Sequence, residues 1–220
     1  MGEMTGFKRP DGGETQGYLA QAGGDRPGIV VIQEWWGLND HICGIADRFA
    51  RAGYNALAPD LYEGRVAQDP DEADHMMSGL DFPGATHQDI RGAAQHLNSV
   101  GNGRLAVSGF CMGGALTIAA AVHVPETNVA VCFYGIPPKE FADPAEIKVP
   151  FQGHFANTDD WCTPEAVNAL EADMKSGGVD YDLHRYDAAH AFFNETSDAY
   201  DVASARQSWD RMSKYLAERL

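Results

Sequence analysis

The chain has 220 residues, 44% of them hydrophobic, and a formal net charge of −16 at pH 7. The length and the apolar content predict a single folded domain over residues 1–220, either a monomer or the subunit of a small homo-oligomer. The acidic charge argues against nucleic acid or an anionic membrane as partner, because both are polyanions that would be repelled, and leaves a small molecule as the expected ligand.

At the start of the chain we expect no targeting segment and predict one hairpin. Residues 1–7 lack the cationic start and the apolar core of a secretory signal, and no apolar run approaches the roughly 18 residues that a bilayer-spanning helix needs. A soluble cytoplasmic protein is therefore expected. Two short alternating runs at 5–8 and 15–20 flank a Pro-Asp-Gly-Gly turn at 10–13, which predicts an antiparallel hairpin.

Strands and helices alternate from residue 28 onwards. Apolar runs predict buried strands at 28–32, 54–58, 105–107, 129–133, 149–154 and 181–186. Apolar residues at helical spacing predict helices at 42–50, 87–100, 115–122, 164–175 and 199–220. Asn39 or Asp40 is expected to cap the first of these helices. The alternation predicts an α/β fold, with a mostly parallel sheet, helices on both faces and the antiparallel N-terminal hairpin at one edge.

Residues 61–84 interrupt this alternation. The segment is irregular, acidic and rich in turn residues, and it contains one short predicted helix near 72–78. A long excursion of this kind is usually a functional lid or a binding loop, so we expect the segment to act as one or the other.

The sequence Gly-Phe-Cys-Met-Gly at 109–113 lies between a predicted strand and a predicted helix. Gly-x-Cys-x-Gly is the nucleophile-elbow pattern with cysteine in place of serine, and a helix N-terminus favours a thiolate. Cys111 is therefore the candidate nucleophile. The backbone amides of Met112 and Trp35 are the expected donors to an oxyanion. The alternative is that Cys111 is a small buried side chain packed between strand and helix.

A histidine and an acid are expected to follow the nucleophile along the chain. His190 comes after the last predicted strand, in a loop, where a catalytic base can move freely. His184 lies inside that strand and His154 ends the one before it. Asp159 and Asp160 follow a strand end, and either could hold the imidazole in the correct tautomer. The residues themselves leave that choice open.

Glu34 ends the first buried strand, directly before Trp35 and Trp36. A carboxylate in that position is costly unless it is paired or protonated. One hypothesis is that Glu34 shares a proton with the Cys111 thiol. The alternative is that it pairs with a backbone amide or an arginine. The tryptophans are expected to form core or pocket wall.

Together these motifs resemble the dienelactone hydrolase (carboxymethylenebutenolidase) family of α/β-hydrolases. The resemblance covers nearly the whole chain and includes Gln-Glu-Trp-Trp-Gly-Leu-Asn at 33–39, the elbow at 109–114 and His-Phe-Ala-Asn-Thr-Asp at 154–159. It implies the α/β-hydrolase fold, no cofactor, and a triad of Cys111, His190 and Asp159. Asp159 is selected because the family's acid stands five residues beyond the position of His154. The resemblance also implies that Glu34 restrains the thiol and takes its proton as substrate binds.

The chain departs from the family at the two arginines that grip the carboxylate of dienelactone. Position 194, four residues beyond the catalytic histidine, is asparagine, and Arg65 lies earlier than the family's other arginine would. Loss of such a clamp leaves an anionic substrate unpaired. Uncharged esters or lactones are therefore the expected substrates. The residues expected to line their pocket are Trp36, Tyr134, Trp161, Phe192, Phe193 and Asn194.

The sequence therefore predicts a hydrolase that cleaves a small ester or lactone through an acyl-enzyme. The alternative is a non-catalytic member of the fold, either a ligand-binding protein or a redox sensor that uses the thiol of Cys111. A sensor needs no ordered acid, so the presence of Asp159 and His190 disfavours that alternative. A metal hydrolase is also disfavoured, because the chain has no His-Glu-x-x-His and no calcium-loop spacing.

Overall fold

A computed structural model describes all residues, 1–220. Its eight strands form one sheet in the order β1-β2-β4-β3-β5-β6-β7-β8. The first two strands form an antiparallel hairpin at one edge, β2 also pairs antiparallel with β4, and the remaining pairs are parallel. The predicted fold class is confirmed. The strands are β1 (Glu3–Lys8), β2 (Glu14–Ala20), β3 (Gly28–Ile32), β4 (Asn55–Pro59), β5 (Leu105–Phe110), β6 (Val129–Phe133), β7 (Phe151–Thr158) and β8 (Tyr181–Ala189).

Seven helices cover the sheet. The first is capped by Asn39, whose side chain accepts a hydrogen bond from the amide of Ile42 at 3.2 Å, and this settles the choice between Asn39 and Asp40. A π-helical segment, Ala85–Ile90, joins the third helix to the fourth. No helix is both long and apolar enough to cross a membrane. The helices are α1 (Asp40–Arg51), α2 (Pro70–Ser78), α3 (Phe82–Gly84), α4 (Arg91–Val100), α5 (Met112–His123), α6 (Pro164–Gly177) and α7 (Val202–Ala217).

Both faces of the sheet are buried. Alternate residues of β3 point to opposite faces, so Val31 packs with α1 and α7 whereas Val30 packs with α4 and α5. The helix α6 extends the second layer over Phe151 and Phe155 of β7. This arrangement explains why the central strands are continuous apolar runs, since neither side chain direction reaches water.

Three strands run further than the apolar pattern predicted, and the first of them, β5, continues from 107 to Phe110. The strand β7 continues from the predicted end at 154 to Thr158, and β8 continues from 186 to Ala189. The added part of β7 begins with the core side chains Phe155 and Ala156, and only its last two residues, Asn157 and Thr158, are exposed. In β8 the added Ala188 is also buried. As a result Asp159 and His190 are the first residues after their strands.

The excursion at 61–84 is folded onto the body of the protein. It contains α2 and α3, and Ala73 and Met76 of α2 are buried in the core layer beneath. An isolated antiparallel bridge joins Val66 to Gly37, the residue after the tryptophan pair. The excursion therefore packs beside the carboxyl ends of the strands, where ligands bind in sheets of this kind.

Candidate active site

Cys111 occupies a sharp turn between β5 and α5. Its backbone has φ 55° and ψ −118°, a conformation that residues other than glycine rarely adopt. The flanking glycines are sterically required. A Cβ on Gly109 would lie 2.2 Å from the carbonyl oxygen of Gly113, and a Cβ on Gly113 would lie 2.4 Å from that of Ile32. The strand, the turn and the glycines together place the half-buried thiol at the N-terminus of α5.

Two further residues near Cys111 have positive φ angles. Tyr134 follows β6 with φ 37°, and Ala191 follows His190 with φ 64°. Only one other non-glycine residue in the chain, Glu63, has such a backbone. Each such conformation costs on the order of 1–3 kcal/mol and persists only where its surroundings enforce it. Their concentration around one thiol indicates a functional site.

Asp159 and His190 are joined by a short hydrogen bond. The Nδ1 of His190 lies 2.8 Å from Oδ2 of Asp159, and Oδ1 of Asp159 accepts from the amides of Trp161 and Cys162 at 2.8 and 2.9 Å. Asp159 is buried, whereas its neighbour Asp160 is exposed to solvent. The structure thus brings Asp159, and not Asp160, to the histidine.

The second ring nitrogen of His190 is free. Its Nε2 is buried and has no hydrogen-bond partner, and the imidazole lines the same two cavities as Cys111. The thiol of Cys111 makes no hydrogen bond in this arrangement. A base for the thiol requires an imidazole that is held by an acid at one nitrogen and is unpaired at the other. The contact with the thiol can form later, because catalytic hydrogen bonds often tighten only when substrate is bound.

The electrostatics favour a charged imidazole. Burial lowers the pKa of His190, but the hydrogen bond that the imidazole donates to Asp159 and the interaction with Cys111 outweigh it and raise the pKa to about 10. For Asp159 burial raises the pKa, but the His190 contact and the two loop amides hold it below its ordinary value. A protonated imidazole is therefore stabilised beside Asp159 and Cys111 at the carboxyl edge of the sheet.

Two backbone amides near the thiol are unpaired. Met112 is the first residue of α5, so no carbonyl of its own helix can accept its amide hydrogen. Neither that amide nor the amide of Trp35, which follows Glu34 beyond β3, is used in the hydrogen bonds of the chain's loops. These are the two donors expected to bind an oxyanion, and both amides are free to do so.

Glu34 is buried beside this group, with 1% of its surface exposed. Its Oε1 accepts from the hydroxyl of Tyr134 at 3.3 Å, and its Oε2 accepts from Nδ2 of Asn194. Asn194 is itself fixed, because its Oδ1 accepts from the amide and the hydroxyl of Thr196 at 2.9 and 2.7 Å. The hydrogen-bond partners of Glu34 are therefore neither a backbone amide nor an arginine, and no hydrogen bond joins Glu34 to the Cys111 thiol.

Burial raises the pKa of Glu34 to about 7, although the contacts with Asn194, His190 and Tyr134 oppose the shift. A carboxyl whose pKa is raised on folding contributes stability below its unfolded pKa and loses it as the pH rises through the folded value. We therefore expect Glu34→Gln to become more stable relative to wild type by about 3 kcal/mol between pH 4.5 and pH 8. The free energy of unfolding in urea at each pH measures this.

The control for that experiment is Glu3→Gln, which removes an exposed carboxylate from β1. It should leave the pH dependence unchanged. A stability difference between Glu34→Gln and wild type that stays constant across pH would show that Glu34 is ionised at an ordinary pKa in the folded protein.

Two cavities meet at the thiol and share Cys111, Trp161 and His190. The first, which we call the polar cavity, has a volume of about 530 Å³ and runs along Glu34, Trp36 and Asn194. The second, the apolar cavity, has a volume of about 650 Å³. Its remaining wall residues are Met77, Phe82, Pro83, Met112, Ala115, Tyr134, Gly135, Ile136, Pro137, Pro138, Phe141 and Cys162.

The predicted pocket residues divide into two groups. Trp36, Tyr134, Trp161 and Asn194 line the cavities as expected. The prediction that Phe192 and Phe193 would do so is wrong, because both are core residues. Phe192 packs on Tyr134 and Tyr186, and Phe193 stacks on Phe110. The chain turns at Ala191, whose φ is 64°, and the two side chains that follow pack into the core.

The apolar cavity itself was missed in the sequence. Its walls come from the excursion, through Met77 and Phe82, and from the loop after β6, through Ile136 and Phe141. The sequence feature that could have indicated this cavity is a set of apolar residues in otherwise polar loops, because such residues often mark a binding surface. No lysine or arginine lines either cavity, and Arg65 lies outside both.

Comparisons with known proteins agree with this architecture. The sequence profile of the dienelactone hydrolase family matches residues 15–220. The protein usf of Aquifex pyrophilus is 33% identical over 231 residues, covering 100% of both chains. A protein of Aquifex aeolicus predicted to be a carboxymethylenebutenolidase is 30% identical, covering 96% of this chain and 95% of its own length. A dienelactone hydrolase-like promiscuous phosphotriesterase from metagenomic libraries has the same fold, with a TM-score of 0.85 at 24% identity over 99% of this chain and 98% of that one.

Proposed function

Because this chain belongs to the dienelactone hydrolase family and is a carboxylic ester hydrolase, we propose that it cleaves small uncharged esters or lactones through a triad of Cys111, His190 and Asp159. The observation that carries the proposal is the 2.8 Å contact between His190 and Asp159, which leaves Nε2 of the imidazole free in the cavities that hold the thiol. An acid and a base in this relation serve a nucleophile.

Acylation begins with transfer of the thiol proton to Nε2 of His190. The Cys111 thiolate then adds to the ester carbonyl carbon, and the amides of Met112 and Trp35 hydrogen-bond the oxyanion that forms. When the carbon–oxygen bond to the alcohol breaks, the leaving alkoxide takes the proton from the imidazolium. The products of this half-reaction are a thioester on Cys111, free alcohol and neutral His190.

Deacylation reverses the proton path with water in place of the alcohol. Neutral His190 takes a proton from water as its oxygen adds to the thioester carbonyl. The carbon–sulfur bond breaks, the carboxylic acid is released, and the thiolate–imidazolium pair is restored. The raised pKa of His190, about 10, supports this scheme, because it keeps the imidazolium charged while the thiolate is present.

We propose that Glu34 restrains the Cys111 thiol before substrate binds and takes its proton when substrate arrives. A carboxyl with a pKa of about 7 can exchange a proton with a thiol near neutral pH, and Glu34 lines the polar cavity together with Cys111. Because Asn194 is neutral, the hydrogen bond that it donates to Glu34 does not come from a cation.

The substrate is expected to be uncharged. Neither cavity contains a lysine or arginine, the polar cavity contains Glu34 and Asp198, and the protein carries a net charge of −16. We expect a lactone bearing a carboxylate to show kcat/KM about 10- to 100-fold below that of the matched lactone bearing a carboxamide. Steady-state kinetics on the pair, run side by side at low ionic strength, measures this ratio.

The variant Asp198→Asn sharpens that comparison. Removing an exposed negative charge from the rim of the polar cavity should reduce the difference in kcat/KM between the two lactones at low salt. The larger change in kcat/KM is expected for the anionic lactone. Faster turnover of the carboxylate by the wild-type protein would overturn the assignment to uncharged substrates.

A non-catalytic thiol sensor is the remaining alternative. The buried acid that orders His190 argues against it, because a sensor needs only an accessible thiolate. Alkylation by iodoacetamide beside an ester screen separates the two functions. Rapid alkylation of Cys111 with no ester turnover would support sensing, whereas turnover that alkylation abolishes supports the hydrolase.

A further inference from the structure

Two cavities of opposite chemistry open on one nucleophile, and this arrangement bears on how a substrate is oriented. We infer that the acyl part of the ester binds in the apolar cavity and that the leaving alcohol binds in the polar cavity. The inference rests on the proposed function, because it assumes that Cys111 is acylated. It adds the class of substrate, namely esters of short to medium apolar acids with small polar alcohols.

The apolar cavity is built to surround a hydrocarbon chain. Phe82 of the excursion and Phe141 of the loop after β6 face each other edge to face, with ring centres 6.4 Å apart, and Met77 lies beside them. The one hydroxyl in this wall, that of Tyr134, donates its hydrogen to Glu34 and is not free for a ligand. An apolar group that enters this cavity therefore loses contact with water and finds few polar partners.

The polar cavity has the opposite character. Asn39, Gln68, Thr196, Ser197 and Asp198 line it, together with the Glu34 carboxyl. Such side chains hold water well, because each offers hydrogen bonds that a hydrocarbon would leave unmade. Water is therefore expected in this cavity whenever no substrate group fills it.

The chemistry of the two half-reactions decides which part of the ester goes where. The leaving alcohol takes a proton from Nε2 of His190, and the attacking water gives a proton to the same nitrogen. By microscopic reversibility the alcohol oxygen and the water oxygen occupy the same place. That place must be supplied with water, and the polar cavity supplies it. The acyl group, which stays on Cys111 throughout, is then left with the apolar cavity.

Two matched series of esters test the orientation. In the first, the leaving group is p-nitrophenol and the acyl chain lengthens from acetyl to hexanoyl. In the second, the acyl group is acetyl and the alcohol lengthens from methyl to hexyl. We expect kcat/KM to rise about three- to fourfold per methylene in the acyl series, as burial in an apolar cavity predicts, and less than twofold per methylene in the alcohol series.

Variants of the cavity walls tie this slope to the structure. Phe82→Ala and Met77→Ala each remove part of the apolar wall from a partly buried position in the excursion, and should flatten the acyl-length slope. Using two variants guards against misfolding of either one. Gln68→Ala, on the polar side, should leave the acyl-length slope as it is in wild type.

The outcomes are distinguishable. A steep slope in the alcohol series with a flat acyl series, or equal slopes in both, would overturn the orientation while leaving the hydrolase assignment intact. An acyl slope that Phe82→Ala and Met77→Ala do not change would also overturn it. Absence of turnover in both series, with no acyl group on Cys111, would overturn the proposed function and the orientation together.

Discussion

Replacement of Cys111 with alanine is expected to lower kcat for a p-nitrophenyl ester at least about 10⁴-fold, because it removes the only atom that forms the covalent intermediate. Alanine keeps the Cβ and therefore the same backbone requirement at φ 55°, so the fold should be retained. Ester hydrolysis followed by release of p-nitrophenol measures the loss, and thermal unfolding checks that the variant is folded.

The control for this variant is another thiol. Cys43 lies on α1, half-buried, and lines neither cavity. Cys43→Ala should therefore hydrolyse the ester at the wild-type rate. Turnover that persists in Cys111→Ala but falls in Cys43→Ala would contradict the assignment of Cys111 as the nucleophile.

Asp159→Asn should lower kcat about 10³- to 10⁴-fold without a large change in fold. One asparagine atom must still accept from the amides of Trp161 and Cys162, so its oxygen takes the place of Oδ1 and its amide nitrogen faces Nδ1 of His190. The imidazole would then carry its hydrogen on Nε2, and a nitrogen in that tautomer cannot take the thiol proton. The ester assay used for Cys111 measures this effect.

Asp160→Asn is the matched control, because it changes the neighbouring residue in the same way. Asp160 is exposed and has no contact with His190, so its replacement should leave kcat close to wild type. Equal losses in the two variants would mean that the loop carboxylates act through their charge and not through the imidazole.

The elements that local patterns control could be predicted from the sequence. Continuous apolar runs gave the central strands, helical spacing gave α1 and α6, and the glycines around Cys111 gave the elbow. Asn39 and Asp40 could not be ranked as caps from residue type alone, since both are good caps, and only the path of the backbone decides between them.

The choice between Asp159 and Asp160 shows a similar limit. Two adjacent carboxylates have the same chemistry, and which one faces the imidazole depends on where β7 ends and how the loop turns. Family spacing pointed to Asp159, and the structure brings that residue to the imidazole through a contact 31 positions along the chain.

Contacts between distant segments could not be predicted from either pattern or spacing. Asn194 holds Glu34 across 160 positions, and the apolar cavity joins the excursion to the loop after β6. Phe192 packs into the core after a turn at Ala191, and composition does not predict that turn. These contacts fix the position of Glu34 and the shape of the substrate site, so substrate preference is the least predictable part of the protein.

The central claim is that Cys111 carries the acyl group of the substrate during turnover. Rapid acid quench of the wild-type protein with p-nitrophenyl hexanoate, followed by peptide mass spectrometry, tests it directly. The account predicts a hexanoyl thioester on the peptide that contains Cys111, formed in a burst with p-nitrophenol and absent from Cys111→Ala. Steady turnover with no acyl group on Cys111, or an acyl group on another residue, would contradict it.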